Sequence, residues 1–401
     1  MGRVDSERRT LKAGEYQRSN GLYEYKYVDA YGKRRSLYDS DLAVLRDKEK
    51  RVEDDISDGI VLDTEQRNIT VTDLFVRYMA SRKLAGTTRL NYLTMWDSLA
   101  ADTIGQAKVV DLRASGVKLF YAGLDRAGYS HSTIKLIHNL LYPSLEMAVG
   151  DDIIRKNPAK KALGKLGRAA IKRTALTLQQ QEKLTAFIQD SPVYNIYVPL
   201  LTIMLNTGLR CGEVLALTWS DVNMRQKEIS VGKQLIYKDL GDGFRFHVVK
   251  PKTQAGIRTI PMLECVYAAF VQQKKNNFML GLNGGHEVDG IRDFIFMAKT
   301  KRPLMPGGLN NVFYNMVAAY NKHENAAAIK EKRKPELLPK FSAHVLRHTA
   351  CTRLAEAGID IKVLQYIMGH ENIAVTMDVY NHIDDKERIK HEVQKLDNAA
   401  I

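Results

Sequence analysis

The sequence of 401 residues predicts a multidomain α+β protein. We expect a small three-stranded β-sheet with a helix first, an all-α bundle second, and a mixed, mainly helical domain with an antiparallel β-sheet last. Three observations predict this order. Tyrosines alternate near the start, residues 70–150 show only helical periodicity, and strand patterns flanked by helices follow from about residue 175. The predicted parts, a sheet domain, a bundle, a basic linker and a C-terminal domain, span residues 1–69, 70–158, 159–174 and 175–401.

The predicted N-terminal sheet is basic and rich in tyrosine. The stretch Leu22–Val28 alternates, so its three tyrosines share one face, and Lys33–Tyr38 returns as the next strand. Residues 1–36 contain nine Lys or Arg against five Asp or Glu. A sheet with such residues on an open face can enter a DNA groove, and the candidate contacts are Tyr25, Tyr27 and Arg34. The alternative is that the tyrosines cover the following helix.

Four helical patterns make up the predicted bundle. Short turns at Gly86, Gly105 and Gly128 separate them. Such short connections favour antiparallel neighbours in a compact bundle. The patterns run over Thr70–Ala80, Thr87–Leu99, Ser115–Ala127 and Ser132–Val149.

A basic segment follows the bundle. Residues 155–173 include eight Lys or Arg and no Asp or Glu, and Gly164 and Gly167 interrupt any helical period. We interpret this segment as an interdomain linker that lies along a phosphate backbone, with a solvated linker as the alternative. Its candidate DNA-binding residues are Arg155, Lys156, Lys160, Lys161, Arg168, Lys172 and Arg173.

In the C-terminal domain, three antiparallel strands are expected over Glu228–Tyr237, Phe244–Lys250 and Arg258–Met262. The glycine-rich turn at residues 241–243 would join the first two of them. Helical patterns lie on both sides of these strands, so the domain is expected to be mixed and mainly helical.

The composition favours a soluble, cytoplasmic protein that binds a polyanion. Lys and Arg number 60 against 46 Asp and Glu, an excess typical of proteins that neutralise phosphates, although solubility alone also explains it. No apolar run reaches the roughly 18 residues that span a bilayer, and the charged start does not fit a signal peptide. The three cysteines form no Cys-x-x-Cys pair, which argues against disulfides and a cysteine zinc site.

Four motifs in the C-terminal domain contain side chains suited to a phosphate site. The first, Thr-Gly-Leu-Arg, ends at Arg210 and places it at a helix junction. The second, Pro-Lys-Thr, puts Lys252 in a loop between strands. The third, His-Val-Leu-Arg-His, begins at His344, and the fourth, Gly-His, contains His370 and is followed ten residues later by Tyr380.

These residue types fit the chemistry of a phosphate. An arginine presents a planar fork to phosphate oxygens, and residues three apart in a helix, such as His344 and Arg347, share a face. A tyrosine has a reference pKa near 10, so as a nucleophile it needs nearby positive charge that favours the phenolate. A lysine beside the departing oxygen can donate a proton. Taken singly, each residue is more simply an ordinary surface or core side chain.

In this order the four motifs resemble those of the tyrosine recombinases, over most of residues 175–385. The start of the chain, with Gly-Glu-Tyr-Gln-Arg at 14–18 and Asp-Gly-Ile at 58–60, resembles the arm-binding domain of conjugative-transposon integrases. The resemblance implies a site-specific recombinase that cuts and rejoins DNA through a covalent 3′-phosphotyrosyl link. Such an enzyme integrates and excises a mobile element such as a conjugative transposon or prophage, and it uses no cofactor and no metal.

The same resemblance assigns a role to each residue of the motifs. The two arginines would clamp the scissile phosphate, and the lysine would protonate the 5′-oxygen that leaves. One histidine would help to deprotonate the nucleophile, and the other would hydrogen-bond the phosphate. Glu213 would support the site without touching DNA. The implied catalytic residues are Arg210, Lys252, His344, Arg347, His370 and the nucleophile Tyr380.

The implied partners are the core and arm attachment sites of double-stranded DNA, with an excisionase or a DNA-bending protein as accessories. Recombination cuts two duplexes at two places each, so we expect a homotetramer on DNA. A helix is predicted over Asp385–Asn398, with Ile389, Val393 and Leu396 on one face. It would dock on a neighbouring protomer in a tail exchange, or pack in cis.

Two other functions remain open at this point. A type IB topoisomerase uses a similar phosphotyrosine but does not exchange partners, and a catalytically silent DNA-binding regulator could share the scaffold. The basic N-terminal sheet argues against the topoisomerase, and the complete set of motif residues argues against the regulator.

Overall fold

The computed structural model describes residues 3–29, 32–57, 68–169 and 174–380. The chain divides into two compact units, residues 1–171 and 172–401. The first unit contains two hydrophobic clusters, one in its sheet region and one in its helical bundle. The second unit has a large core of its own. The predicted multidomain α+β class is confirmed.

The N-terminal sheet is antiparallel in the order β1–β2–β3, and helix α1 packs against it. The alternating tyrosines of β2 explain that strand, and the turns around Gly21 and Gly32 adopt positive φ angles that suit glycine. The small core consists of Leu11, Tyr23, Leu42 and Leu45. The elements are β1 Glu15–Gln17, β2 Tyr23–Val28, β3 Arg34–Asp39 and α1 Leu42–Ser57.

The tyrosine face of this sheet lies on α1, which corrects the expectation that Tyr25 and Tyr27 form an open DNA-binding face. Tyr25 packs against the small core, and its hydroxyl donates a 3.0 Å hydrogen bond to Glu53 of α1. The Tyr27 ring stacks on Tyr25 with centroids 6.0 Å apart. The apolar side of α1 needs cover, and aromatic rings supply it.

The opposite face of the sheet contains the third predicted residue, Arg34, which is exposed. Strand alternation and register place Tyr16, Lys26 and Tyr38 on this same face. The Tyr16 ring lies 4.9 Å from the ammonium of Lys26, and the Tyr38 ring lies 4.8 Å from the guanidinium of Arg18. The open face therefore presents the basic side chains of Lys26 and Arg34 beside the rings of Tyr16 and Tyr38.

The bundle consists of four helices around a buried core. Thr70 begins the first helix in a capping box with Asp73, and Ser130 caps the last. The rings of Phe75 and Trp96 stack 4.1 Å apart at the centre. The helices are α2 Val71–Ser81, α3 Gly86–Leu99, α4 Ala114–Arg126 and α5 His131–Gly150.

Most of the segment predicted as a linker packs against this bundle, so the expected start of the linker at residue 159 is wrong. Ala159 and Ala162 are buried in the bundle core. Arg168 donates a 2.8 Å hydrogen bond to the carbonyl of Gly128, and the Gly167 amide donates to Asp125. Small alanines bury little area and leave no clear apolar period, which explains the wrong prediction.

The basic side chains of this segment remain at the surface. Two of the predicted DNA-binding residues, Lys172 and Arg173, lie outside the described residues, as does residue 171 at the end of the first unit. The described ones are exposed, namely Arg155, Lys156, Lys160, Lys161 and Arg168.

In the second unit, helices and a three-stranded sheet pack around one core. Its helices are α6 Leu178–Asp190, α7 Val198–Thr207, α8 Cys211–Leu215, α9 Glu264–Met279, α10 Pro306–Lys330, α11 Ala343–Glu356, α12 Ile361–Met368 and α13 Ala374–Tyr380. Its strands are β4 Val222–Asn223, β5 Glu228–Val231, β6 Gln234–Asp239, β7 Phe244–Val249 and β8 Arg258–Pro261.

The strands form two sheets instead of one. The order β4–β5–β8 makes an antiparallel sheet, and among the described residues β6 pairs only with β7, as a separate hairpin. The predicted strand Glu228–Tyr237 is thus two strands, interrupted at Gly232 and Lys233. Lys233, in this interruption, forms an ion pair with Asp221.

Within residues 3–29, 32–57, 68–169 and 174–380, no helix combines the length and apolar character needed to cross a membrane. The predicted tail helix over Asp385–Asn398 lies outside the described residues.

Candidate active site

Arg210 stands between two helices, as the sequence predicted. Helix α7 ends at Thr207, and Gly208 adopts a left-handed conformation with φ of 64°. The backbone angle requires glycine, and a Cβ at Gly208 would lie 2.6 Å from the Met368 sulfur and displace that side chain. The chain then extends through Arg210, which is the N-cap of α8.

Glu213 holds Arg210 in place from below. One oxygen of its buried carboxylate accepts from the Arg210 amide at 2.9 Å, and the other accepts from the Arg210 Nη1 at 2.8 Å. Burial opposes ionisation of Glu213, but the hydrogen bonds and charge of Arg258 and the contacts with Arg210 outweigh it, so the pKa of Glu213 is lowered. The charged carboxylate of Glu213 therefore supports the half-exposed guanidinium of Arg210.

Arg347 lies deeper than Arg210 and joins two helix ends. Only 5% of the residue is exposed. Its Nη1 donates to the carbonyl of Gly208 at 2.7 Å, and its Nη2 donates to the carbonyl of Met368. Burial and the neighbouring positive charge of Arg210 lower the pKa of Arg347 to about 9, which leaves it protonated at neutral pH.

The turn after α12 brings His370 to the arginines. Gly369 ends the helix with φ of 61°, and its carbonyl accepts from Arg210 Nη2 at 2.9 Å. The His370 Nδ1 lies 2.9 Å from the Thr376 hydroxyl in a shared hydrogen bond. Burial and the charges of Arg347 and Arg210 lower the pKa of His370 to about 4, so the ring is neutral at physiological pH.

Helix α11 presents its motif to a cavity of about 540 Å³. His344 is exposed, Arg347 is buried, and Leu346 points into the core, as the helical spacing predicts. Helix α13 ends at Tyr380. The cavity is lined by Thr174, Ala175, His344, Arg347, His348, Cys351, Thr352, Met368, His370, Val375, Asp378 and Val379.

Lys252 is exposed in the loop between β7 and β8. This loop reaches the turn that contains His370, because a Cβ at Gly369 would lie 2.9 Å from the Ala255 carbonyl oxygen. The structure therefore brings elements of all four motifs together. The sequence alone placed them only in order.

Arg258 belongs to the same cluster and none of the four motifs includes it. Its side chain is fully buried and donates to both oxygens of Glu213, at 3.0 and 3.4 Å. A signal was present, because alternation puts Arg258 on the buried face of β8 with Ile260. A charged residue at such a position calls for an opposite charge.

No group of three or more His, Cys, Asp or Glu within the described ranges is arranged to hold a metal ion.

Two family models match the chain. The phage integrase family matches residues 174–387, and the DNA-binding domain of Tn916 integrase matches residues 1–56. The first match covers the four motifs, and the second covers the N-terminal sheet and most of α1.

Relatives and solved structures agree with these matches. The transposase from transposon Tn916 of Enterococcus faecalis is 32% identical over 95% of this chain and 93% of its own. The Tn1549 transposon integrase, solved in complex with a circular intermediate DNA, has a TM-score of 0.71 and 32% identity over 81% of this chain and 99% of its own.

A lambda integrase tetramer bound to a Holliday junction shares the fold, with a TM-score of 0.52 and 19% identity over 93% of this chain and 96% of its own. The family matches, the identity with Tn916 transposase and the fold agree with the motifs gathered around Arg210 and Arg347. The chain belongs to the phage integrase family and is a site-specific tyrosine recombinase of the Tn916 integrase type.

Proposed function

We propose that this recombinase cuts and rejoins DNA through Tyr380, and so integrates and excises a conjugative transposon or a similar mobile element. The observation that carries the proposal is the convergence of Arg210, Arg347 and His370 on one turn, Met368–His370. The Tn916 transposase and the DNA-bound Tn1549 integrase, both 32% identical, support the choice of element.

Both arginines keep donors for a phosphate. A guanidinium has five N–H donors, and Arg210 and Arg347 each use two of them in hydrogen bonds within the protein. Their remaining donors would bind the non-bridging oxygens and stabilise the added negative charge of the transition state. Because Arg347 is buried, its interaction with a phosphate is weakly screened by water.

The histidines and the lysine would manage protons. His370 is neutral, so it can donate one hydrogen bond to the phosphate without adding charge. His344, exposed at the cavity, would assist deprotonation of Tyr380. Lys252 would give a proton to the 5′-oxygen as the bond from phosphorus to that oxygen breaks, which leaves a 3′-phosphotyrosyl link and a free 5′-hydroxyl.

We propose that residues 1–69 bind arm sites and that residues 70–158 bind core sites. The exposed basic residues within 155–168 would contact phosphates. Residues 175–401 would form the catalytic domain, and 170–174 would connect it to the bundle. On the sheet, the open face with Arg34 and Lys26 replaces the tyrosine face as the DNA-binding surface. Four protomers would assemble on DNA through exchange of their C-terminal tails. An excisionase or a DNA-bending protein would assist them, and the assembly would be associated with the bacterial nucleoid.

The experiment that tests the enzymatic proposal mixes the protein with labelled, nicked attachment-site DNA and measures adducts that survive denaturant. We expect an adduct on attachment-site DNA that is absent with Tyr380→Phe, while DNA binding by the variant is retained. An adduct on arbitrary sequence would indicate a topoisomerase. Failure of the unaltered protein to form any adduct would indicate a silent regulator and refute the proposal.

A further inference from the structure

We propose that Arg258 is a positioning residue that fixes the Lys252 loop against the phosphate-binding arginine and the His370 turn. The inference rests on the role of Lys252 proposed above and extends it to a residue outside the four motifs. Arg258 does not touch the reacting atoms. It acts by joining three segments of the chain that each contribute one part of the site.

The hydrogen bonds of Arg258 define these three segments. Its Nε donates to the carbonyl of Ile367 at 2.7 Å, its Nη2 donates to Glu213 at 3.0 Å, and its Nη1 donates to the carbonyl of Gly256 at 3.1 Å. The side chain is fully buried, so these partners, and not water, satisfy its charge. A planar fork fixes three directions at once, which a lysine ammonium does not.

The contact with Gly256 controls the lysine loop. The Gly256 amide donates to the carbonyl of Thr253 at 3.0 Å, and a Cβ at Gly256 would lie 2.5 Å from the Pro251 Cβ. Pro251, Thr253 and Gly256 therefore form one tight turn with Lys252 at its corner. By binding the Gly256 carbonyl, Arg258 therefore fixes the backbone at Lys252.

The other two contacts belong to the phosphate clamp. Glu213 binds both the amide and the guanidinium of Arg210. Ile367 lies near the end of α12, two residues before Gly369, whose carbonyl accepts from Arg210. A shift of Arg258 would therefore change the position of the lysine relative to the phosphate.

The position of the lysine matters for a defined step. The phenolate oxygen of Tyr380 forms a bond to phosphorus, the bond from phosphorus to the 5′-oxygen breaks, and its electron pair goes to that oxygen. The Lys252 ammonium supplies the proton, which leaves a 5′-hydroxyl and a neutral amine. Lys252 is exposed on a long, flexible stem, so the loop backbone has to set its reach.

The test compares two substrates, ordinary DNA and DNA with sulfur in place of the 5′-bridging oxygen. A thiol such as that of cysteine has a pKa near 8.5, well below that of an alcohol. A thiolate can therefore leave without being protonated. We expect Arg258→Lys, which keeps the positive charge beside Glu213, to slow cleavage of ordinary DNA by roughly ten- to hundredfold. Cleavage of the sulfur substrate should return to within about threefold of the unaltered protein, as for Lys252→Ala.

Two further variants keep the test decisive if Arg258→Lys folds poorly. Pro251→Ala loosens the loop without touching the buried ion pair, and we expect the same preference for sulfur with a smaller loss on oxygen. Arg333→Lys is the matched control, because Arg333 also pairs with glutamates, Glu324 and Glu331, but lies on the α10 side of the unit. It should cleave both substrates normally.

The outcomes separate the inference from the proposed function. If sulfur restores Lys252→Ala but neither Arg258→Lys nor Pro251→Ala, Arg258 does not position the lysine and the inference is wrong, while the role of Lys252 stands. If sulfur does not restore Lys252→Ala, Lys252 is not the proton donor, and both the role and the inference fail.

Discussion

The His370 imidazole is tied through Nδ1 to the hydroxyl of Thr376, 2.9 Å away, on the helix that ends at Tyr380. Thr376 is fully buried and lies one turn before Tyr380. Its hydroxyl therefore orients the ring and leaves Nε2 for the phosphate contact proposed above. The same hydrogen bond connects the histidine of the proposed phosphate site to the helix that ends at the proposed nucleophile.

Removal of this hydroxyl should impair cleavage more than binding. We expect Thr376→Val, which keeps the side-chain shape, to reduce the rate of adduct formation about tenfold because the ring loses its orientation. Thr376→Ser should restore most of the rate. Rates are measured on nicked attachment-site DNA, with affinity from gel shift. Equal rates for the valine variant and the unaltered protein would show that Thr376 does not orient His370.

The low pKa of His370 predicts a pH dependence of stability. Its pKa is lowered from 6.5 to about 4 in the folded state, so between these values the unfolded chain binds more protons. Stability from this residue is thus present above pH 6.5 and is lost as pH falls toward 4. Allowing for solvent around the ring, we expect a loss of about 1–2 kcal/mol. Denaturant unfolding at several pH values checks this, and His370→Gln should flatten the curve.

The pKa of Glu49 in the N-terminal unit predicts a pH dependence of stability opposite to that of His370. It is buried beside Glu15, with Arg46 and Lys12 as the nearby positive charges, and one of its oxygens has no hydrogen-bond partner in the described structure. Burial and Glu15 raise its pKa from 4.5 to about 7, so the folded state binds more protons in that range. The sheet should lose stability as pH rises from about 5 to 7.

Hydrogen exchange of the β1–β3 amides in the full chain measures this trend. Protection should decrease with pH beyond the ordinary base catalysis of exchange. Glu49→Gln should remove the decrease, because the amide cannot ionise. An unchanged pH profile in that variant would assign the trend to another group.

Gly369 should tolerate no side chain. Its φ of 61° is unfavourable for other residues, and a Cβ would lie 2.9 Å from the Ala255 carbonyl oxygen and from Arg258 Nη1. We expect Gly369→Ala to lower the free energy of unfolding by about 2–4 kcal/mol and cleavage by more than about a hundredfold.

Gly358 is the matched control, since it has φ of 77° but no atom within 4 Å of an added Cβ. Gly358→Ala should cost only the backbone strain, about 1–2 kcal/mol, and leave the cleavage rate intact. Similar cleavage by both variants would mean that close packing at Gly369 does not shape the site.

The two faces of the N-terminal sheet should respond differently to substitution. Lys26→Ala with Arg34→Ala removes two charges from the open face, so binding to arm DNA should weaken and its salt slope should fall by about 2. Tyr25→Phe on the helix face should leave arm binding unchanged and cost about 0.5–1.5 kcal/mol of stability through the lost bond to Glu53. Weaker arm binding by the tyrosine variant alone would reverse the assignment of the faces.

The sequence predicted those features that have a local cause. Gly208 and Gly369 end helices because only glycine adopts their angles easily, so the junctions around Arg210 and His370 were visible in the pattern. The helical face shared by His344 and Arg347 follows from spacing alone. The multidomain order followed from changes in periodicity.

Features with a tertiary cause could not be predicted in the same way. Which face of β2 meets α1 depends on the apolar side of that helix, and both faces contain aromatic residues. Ala159 and Ala162 are small, so their burial left no apolar period. Arg258 binds Glu213, 45 residues away in the sequence, and no local pattern links them.

Arg347 is at once a phosphate ligand in the proposed mechanism and the side chain that satisfies the carbonyls ending α7 and α12. Its loss would therefore leave two buried acceptors without donors and weaken the domain as well as the reaction. Among the described residues, the exposed Lys252 does not support the fold in this way. A lineage that abandons catalysis but keeps binding DNA would lose its lysine early and retain its buried arginine long after the chemistry has gone.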